Sequence, residues 1–230
     1  TPANMCLVVV GDVDPAEVVR AAREALPRES GPAIPRDYGR ETDLTPLEAE
    51  VSCEMEVSMP TFLLGFKCPP MSGGQEQMRR TLIGELACDV LLGDSSPLYA
   101  RLYSQGLING TFGYSFDTLP GVAYAYIGGD SKDPHAVAEE VLQEARRLVK
   151  DGIDPDYYAR IVRANYGSTL KSLNSFESIA ISLVEGQFDG YDPLLFPEMF
   201  DSITPQDLLA FIRENLCREH MALSVVYPKE

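Results

Sequence analysis

His135 and His220 are the only two histidines in the chain, and they lie far apart in sequence. A zinc-activated water needs two histidines one helical turn apart with a glutamate beside them. His135 has only Glu139 at that spacing, with Glu140 adjacent. Two ligands on one helix face are too few for a structural zinc site, which takes four. Acids in the first turn of a helix are ordinary partners of its dipole. His220 precedes an apolar run and reads as a surface edge residue. The cysteines are Cys6, Cys53, Cys68, Cys88 and Cys217, with no C-x-x-C pair. Four of them sit in apolar runs, so the odd, scattered set reads as reduced core thiols of a cytoplasmic protein. A nucleophilic cysteine would want a histidine beside it in space. There is no G-x-S-x-G elbow, no Walker A loop and no dinucleotide fingerprint. Carboxylates are plentiful, but no spacing pairs them across a cleft.

Among 230 residues, 35 are Asp or Glu and 19 are Lys or Arg, for a net charge of −16. Phosphate backbones and anionic membrane surfaces both want clustered cations, so neither nucleic acid nor membrane is expected as a partner. An acidic surface favours a basic partner or peptide, although it also serves plain solubility. No run of about 18 apolar residues occurs, and Met5–Val10 is too short and lacks the basic flank of a signal peptide. The chain begins at Thr1 rather than Met, which reads as a fragment or a processed product.

These side chains must be positioned by elements whose pattern is legible. Met5–Val10 is a short apolar run, expected as a buried strand. Asp14-Pro15 with Glu17 reads as a capping box opening a helix with Val18, Val19, Ala22 and Leu26 on its apolar face. Pro27–Leu47 holds four prolines and no apolar period, as a linker would. Val51–Met59 alternates Val51, Cys53, Met55, Val57 and Met59 against Ser52, Glu54, Glu56 and Ser58, a half-buried strand. Thr61–Cys68 is a second, more buried strand. A helix over Gln75–Leu92 carries Leu82, Leu86 and Val90 four apart. Gly93 stops it, and Ser96 with Pro97 starts a short second helix. The Gly106–Gly110 turn leads into Phe112, Tyr114 and Phe116, and Leu119-Pro120-Gly121 folds that strand back onto Val122–Gly128. Four more helices follow, opened at Asp133-Pro134, Asp154-Pro155, Ser175 and Thr204-Pro205, and Met221–Val226 is a final strand. The fold class is α+β, an antiparallel sheet with several helices packed on one face.

The stretch Leu91–Phe116, reading LLGDSSPLYARLYSQGLINGTFGYSF, resembles the second domain of pitrilysin/insulinase-type inverted-zincin metallopeptidases. "Ser-Pro-Leu-Tyr" and "Gly-Leu-Ile-Asn" resemble the spelling of a bacterial branch. The order strand, Leu-Leu-Gly-Phe, Pro69-Pro70, helix is similar too. "Thr-Pro-Ala-Asn-Met" followed by "Val-Val-Val-Gly-Asp-Val-Asp-Pro" resembles the end of the family's first, catalytic domain. An internal echo fits two similar domains: residues 4–10 read NMCLVVV and residues 220–226 read HMALSVV.

The resemblance implies three segments: 1–27, the last strand and helix of a preceding catalytic-type domain; 28–48, a linker; and 49–230, the non-catalytic domain. It implies half of a chamber that encloses an unfolded peptide, a basic one by charge. The catalytic H-x-x-E-H motif is absent, so zinc is expected only in an upstream domain, with no cofactor in this chain. The implied partner is that catalytic domain or a homologous subunit. Some second-type domains of the family lend an Arg and a Tyr to the active site. Those places fall on Leu102 and Asn109, which can play neither role. Tyr99, Arg101, Tyr103, Asn109 and Tyr114 remain as candidates for contact with bound peptide. The other readings are a catalytically dead structural or assembly subunit and a plain peptide-binding module.

Overall fold

A computed structural model describes residues 2–26, 31–32, 35 and 37–229. Five strands form one sheet: β1 (Glu50–Met55), β2 (Thr61–Cys68), β3 (Gly113–Leu119), β4 (Val122–Asp130) and β5 (Met221–Pro228), in the order β1-β5-β2-β4-β3. The sheet is antiparallel except for the parallel pair β1–β5. Among the described residues eight α-helices accompany it: α1 (Pro15–Ala25), α2 (Gly74–Leu92), α3 (Pro97–Ser104), α4 (Pro134–Asp151), α5 (Pro155–Ser172), α6 (Phe176–Asp189), α7 (Phe196–Ser202) and α8 (Pro205–Asn215).

Most helix starts follow from one chemistry. The side chains of Ser96, Asp133, Asp154, Ser175 and Thr204 each accept a hydrogen bond from a backbone N–H of the first turn. Proline follows four of them, where its missing N–H is no loss. Thr204 and Asp207 form a reciprocal capping box. At Asp14 the box is replaced by a single bond from the Ala16 N–H, with Glu17 not returning one.

The core lies between one face of the sheet and α2, α4 and α8. Phe62, Leu64 and Phe66 of β2, Ala125 and Ile127 of β4, and Leu223 and Val225 of β5 meet Leu86, Leu91, Val137, Leu208 and Ile212. Phe116 of β3 is wedged between α2 and α8. Its ring packs edge-on against Phe211 with centroids 5.2 Å apart. On its other side, a Cβ on Gly84 would stand 2.4 Å from the Phe116 ring. Gly84 is therefore what lets α2 approach β3 so closely.

Four expectations are corrected. Met5–Val10 is not a buried strand: it pairs with nothing among the described residues, and Met5 and Leu7 are 71% and 63% exposed. An apolar run becomes a strand only where a sheet edge receives it. The expected strand 51–59 ends at Met55, and all six residues of β1 are exposed. Cys53 is thereby an exposed free thiol, while Cys68 and Cys88 are in the core as expected. A helix, α7, stands where no pattern announced one; Phe196 and Phe200 anchor it against Tyr166.

Part of the expected linker, with Thr1 before it, lies outside the described residues. Its later part straps the sheet. Glu41 lies 3.0 Å from the Lys67 ammonium, and the Glu41 N–H donates to the Gly121 carbonyl. Gly121 has φ +83°, and a Cβ there would stand 2.2 Å from the Gly39 carbonyl oxygen. Only glycine fits that turn and that contact together.

Candidate functional site

Of the five candidates, Tyr99, Arg101 and Tyr103 sit on α3, Asn109 follows it and Tyr114 is on β3; they fall into two groups. Ser96 is buried, and its Oγ accepts the Tyr99 N–H at 3.0 Å. That cap orients α3 so that Leu98 and Leu102 are fully buried. Arg101 then reaches α4, with Nε 3.0 Å from Glu140 and Nη2 3.2 Å from Glu144. Glu144 is only 3% exposed and also accepts Nη2 of Arg147 at 2.6 Å. Burial alone would raise the Glu144 carboxyl. Hydrogen bonds from Arg147 and Arg101, with their charges, outweigh burial and hold it below the ordinary carboxylate value. Tyr114 likewise faces the helices. Its hydroxyl donates to Asp89, which Asn165 also holds. Burial and then that hydrogen bond push the Tyr114 phenol well above its usual range. Arg101 and Tyr114 are thus engaged within the helical layer.

The other three gather at one end of the sheet. Tyr99 and Tyr103 stack with centroids 5.9 Å apart, and Tyr99 meets Phe112 edge-on at 5.8 Å. Asn109 Oδ1 accepts from the N–H and hydroxyl of Thr111, while its Nδ2 lies 3.9 Å from the Met59 sulfur. Thr111 Oγ1 in turn accepts the Asp130 N–H at the end of β4. This corner stands above the start of β2 and offers aromatic rings and an amide.

The second feature is the sheet face that no described helix covers. Register places Leu63, Gly65 and Lys67 of β2 on it, with Tyr124 and Tyr126 of β4 and Ser115 and Asp117 of β3. Val51, Cys53 and Met55 of β1 join the same face, opposite Ser224, Val226 and Pro228. Leu63 and Met55 are each at least half exposed. This surface mixes apolar side chains, two tyrosines and strand backbone, as a peptide-facing wall would. The Val122–Tyr126 alternation was visible in the sequence; which of its faces stays open was not.

On the far side of β3 a cleft of about 630 Å³ runs between α2, α6 and the β3–β4 turn. Glu85, Asp117, Glu185 and Asp189 line it, beside Phe116 and Tyr191. Glu85 keeps solvent exposure at the cleft mouth yet is crowded by its walls. Its carboxyl is pushed up to about 7, first by desolvation and then by Asp89 and Asp117. The local pattern of α2 offers only Asp89, one turn on; the cleft walls and Asp117 come from elements distant in sequence.

The residues present do not fit a zinc ion. His135 Nε2 stands 3.0 Å from Glu50, and Glu139 pairs with Arg218 instead of sharing a ligand role with His135. Among the described residues no three His, Cys, Asp or Glu side chains are placed to hold one metal ion.

A family model described as the peptidase M16 inactive domain matches residues 1–165. The "Uncharacterized zinc protease YmfH" of Bacillus subtilis is 31% identical over 239 residues, covering 99% of this chain and 54% of that protein. An M16-like peptidase from Alicyclobacillus acidocaldarius superposes with a TM-score of 0.85 at 22% identity, over 93% of this chain and 51% of that one. A peptidase M16 inactive domain from Pseudomonas fluorescens gives 0.73 at 16% identity, over 96% and 52%. A chain of Complex III2 from Candida albicans gives 0.71 at 12%, over 94% and 53%. The structural likenesses speak for the fold. The chain spans about half the length of each of these relatives.

Proposed function

Because this chain belongs to the peptidase M16 inactive-domain family, we propose that it is the non-catalytic half of a zinc endopeptidase. Its uncovered sheet face forms one wall of a chamber that encloses an unfolded peptide. The zinc-bearing domain stands upstream or on a homologous subunit. Residues 1–27 complete that catalytic-type domain, 28–48 link the two, and 49–230 are the wall.

The observation that carries the reading is where apolar surface is left uncovered. All the helices that enclose the core are on one side of the sheet, while Leu63 and Met55 stay open on the other. Helix α1 buries no residue, and Met5, Leu7 and Val9 before it are exposed. Surface of that kind marks contact with another body. The tyrosines of the open face, with Tyr99, Tyr103 and Asn109 at its end, are the peptide contacts we favour. Arg101 and Tyr114 support them from behind. A cytoplasmic setting is part of this reading, on the odd and scattered cysteine set.

The test is made on the chain purified alone, which is expected to bind no stoichiometric zinc and to cleave nothing. Joined to an H-x-x-E-H domain, it should support chelator-sensitive cleavage of unfolded peptides, and Tyr126→Arg should lower kcat/KM without moving the melting midpoint. Robust chelator-sensitive cleavage by the isolated chain overturns the proposal.

A second reading, a catalytically dead assembly subunit, draws on Leu102 being fully buried and on Asn109 being held by Thr111, at the places where relatives lend reactive side chains. Unaided peptide hydrolysis by the joined two-domain protein excludes it.

A further inference from the structure

The outer edge of β1 is a docking line that the chamber reading does not use. Hydrogen bonds run from the Leu223 N–H to the Ala49 carbonyl and from the Lys229 N–H to the Met55 carbonyl. In a parallel ladder a residue turns both its backbone groups to the same side, and alternate residues turn them oppositely. Residues 49, 51, 53 and 55 therefore bond to β5, and Glu50, Ser52 and Glu54 point their N–H and C=O groups outward. Among the described residues no strand pairs with that side, since β1 ends the sheet.

Edges that must stay single carry charged side chains, proline or a bulge. Residues 50–55 have no proline and no bulge, and their only charges are Glu50 and Glu54, which repel an acidic strand but not a basic one. What they have is a fixed pattern of side chains. Glu50, Ser52 and Glu54 share the helix side of the sheet with Leu223, Val225 and Tyr227; Val51, Cys53 and Met55 share the open side. Glu48 and Glu56 extend the acidic row, and both are exposed. Of these four glutamates only Glu50 has an ion-pair partner among the described residues, His135 at 3.0 Å.

The pattern selects its occupant. A second copy added antiparallel, with apolar rows together, sets glutamate opposite glutamate, and like charges directly opposite destabilise a pair. A strand alternating Lys or Arg with Val or Ile meets both rows with complementary chemistry. We infer that the β1 edge binds an extended, basic, alternating segment of a partner polypeptide by strand addition. The inference is separate from the chamber reading, which uses the open sheet face and not this edge.

The test is fluorescence anisotropy with a labelled peptide of alternating lysine and valine, against one of alternating glutamate and valine. The basic peptide is expected to bind at least about tenfold more tightly, with affinity falling as salt rises. Ser52→Pro removes an outward N–H that β5 does not use, so it should abolish binding while the circular dichroism spectrum and melting midpoint persist. Glu50→Lys with Glu54→Lys changes only exposed side chains and should weaken binding at least about tenfold. Equal binding of the two peptides overturns the inference. So does binding that survives both variants within about twofold, or sedimentation that shows the chain dimerising through this edge.

Discussion

Replacing Glu144 by Gln tests the clamp that joins α3 to α4 beneath the candidate corner. Glu144 is 3% exposed and accepts three close contacts: Arg101 Nη2 at 3.2 Å, Arg147 Nη2 at 2.6 Å and Arg147 Nε at 3.1 Å. Breaking one side of a fully buried ion pair costs about 3–5 kcal/mol. Here both arginines are partly exposed, at 36% and 45%, and so can rehydrate. Arg101 also keeps Glu140 at 3.0 Å. Glutamine preserves one acceptor but turns an amide N–H₂ toward guanidinium donors. The loss should therefore be about 2–3 kcal/mol, below the fully buried figure. For a chain of this size that lowers the melting midpoint by about 4–12 °C. The chain has no tryptophan, so urea unfolding is best followed by circular dichroism. The pH dependence is the sharper check. The folded-state pKa of Glu144 lies below its ordinary 4.5. Its stabilisation is therefore present above about 4.5 and lost as pH falls through the lower, folded value. Wild type and E144Q should differ at neutral pH and converge in acid. A difference under about 0.5 kcal/mol at neutral pH, or one that persists unchanged at about pH 3, would refute the reasoning.

Gly84→Ala gains about 1 kcal/mol of helix propensity, yet its Cβ meets the Phe116 ring at 2.4 Å, and Phe211 holds that ring from the other side. Overpacking of this kind costs about 1–3 kcal/mol, so a net loss should appear in urea titration; a stabilised variant would show that Phe116 is free to swing. Glu85 titrates oppositely to Glu144. Its folded pKa is raised to about 7, so stability falls as pH rises from about 4.5 through 7. Glu85→Gln should flatten that decline, and an unchanged pH profile counts against the crowded cleft. Deleting residues 1–27 should leave the midpoint within about 2 °C, because no residue of α1 is buried in this fold. A fall of more than about 5 °C would mean that the segment belongs to the domain.

Local chemistry was legible wherever it is local. A serine, threonine or aspartate before proline announces a helix start because the cap bond spans two or three residues, as at Ser96, Asp133, Asp154 and Thr204. Period-two alternation marked β2 and the β3–β4 hairpin, and the fourfold spacing of Leu82, Leu86 and Val90 marked α2. The missing H-x-x-E-H was legible too, since that motif is contiguous. Alternation does not say which face a helix will cover. The apolar row Val51, Cys53 and Met55 reads as a core face, yet the parallel register with β5 turns it to the uncovered side and leaves β1 wholly exposed. Met5–Val10 is spelled like β5, but only a neighbouring edge makes a strand, and none among the described residues receives it. Arg101 became a clamp because α4 brought Glu140 and Glu144 to it, and Glu85 was pushed toward 7 by burial in the cleft, by Asp89 one turn along α2 and by Asp117 of β3. Residue type and short spacing set each element. Burial, charge partners and the open face come from contacts distant in sequence, which only the packed chain supplies.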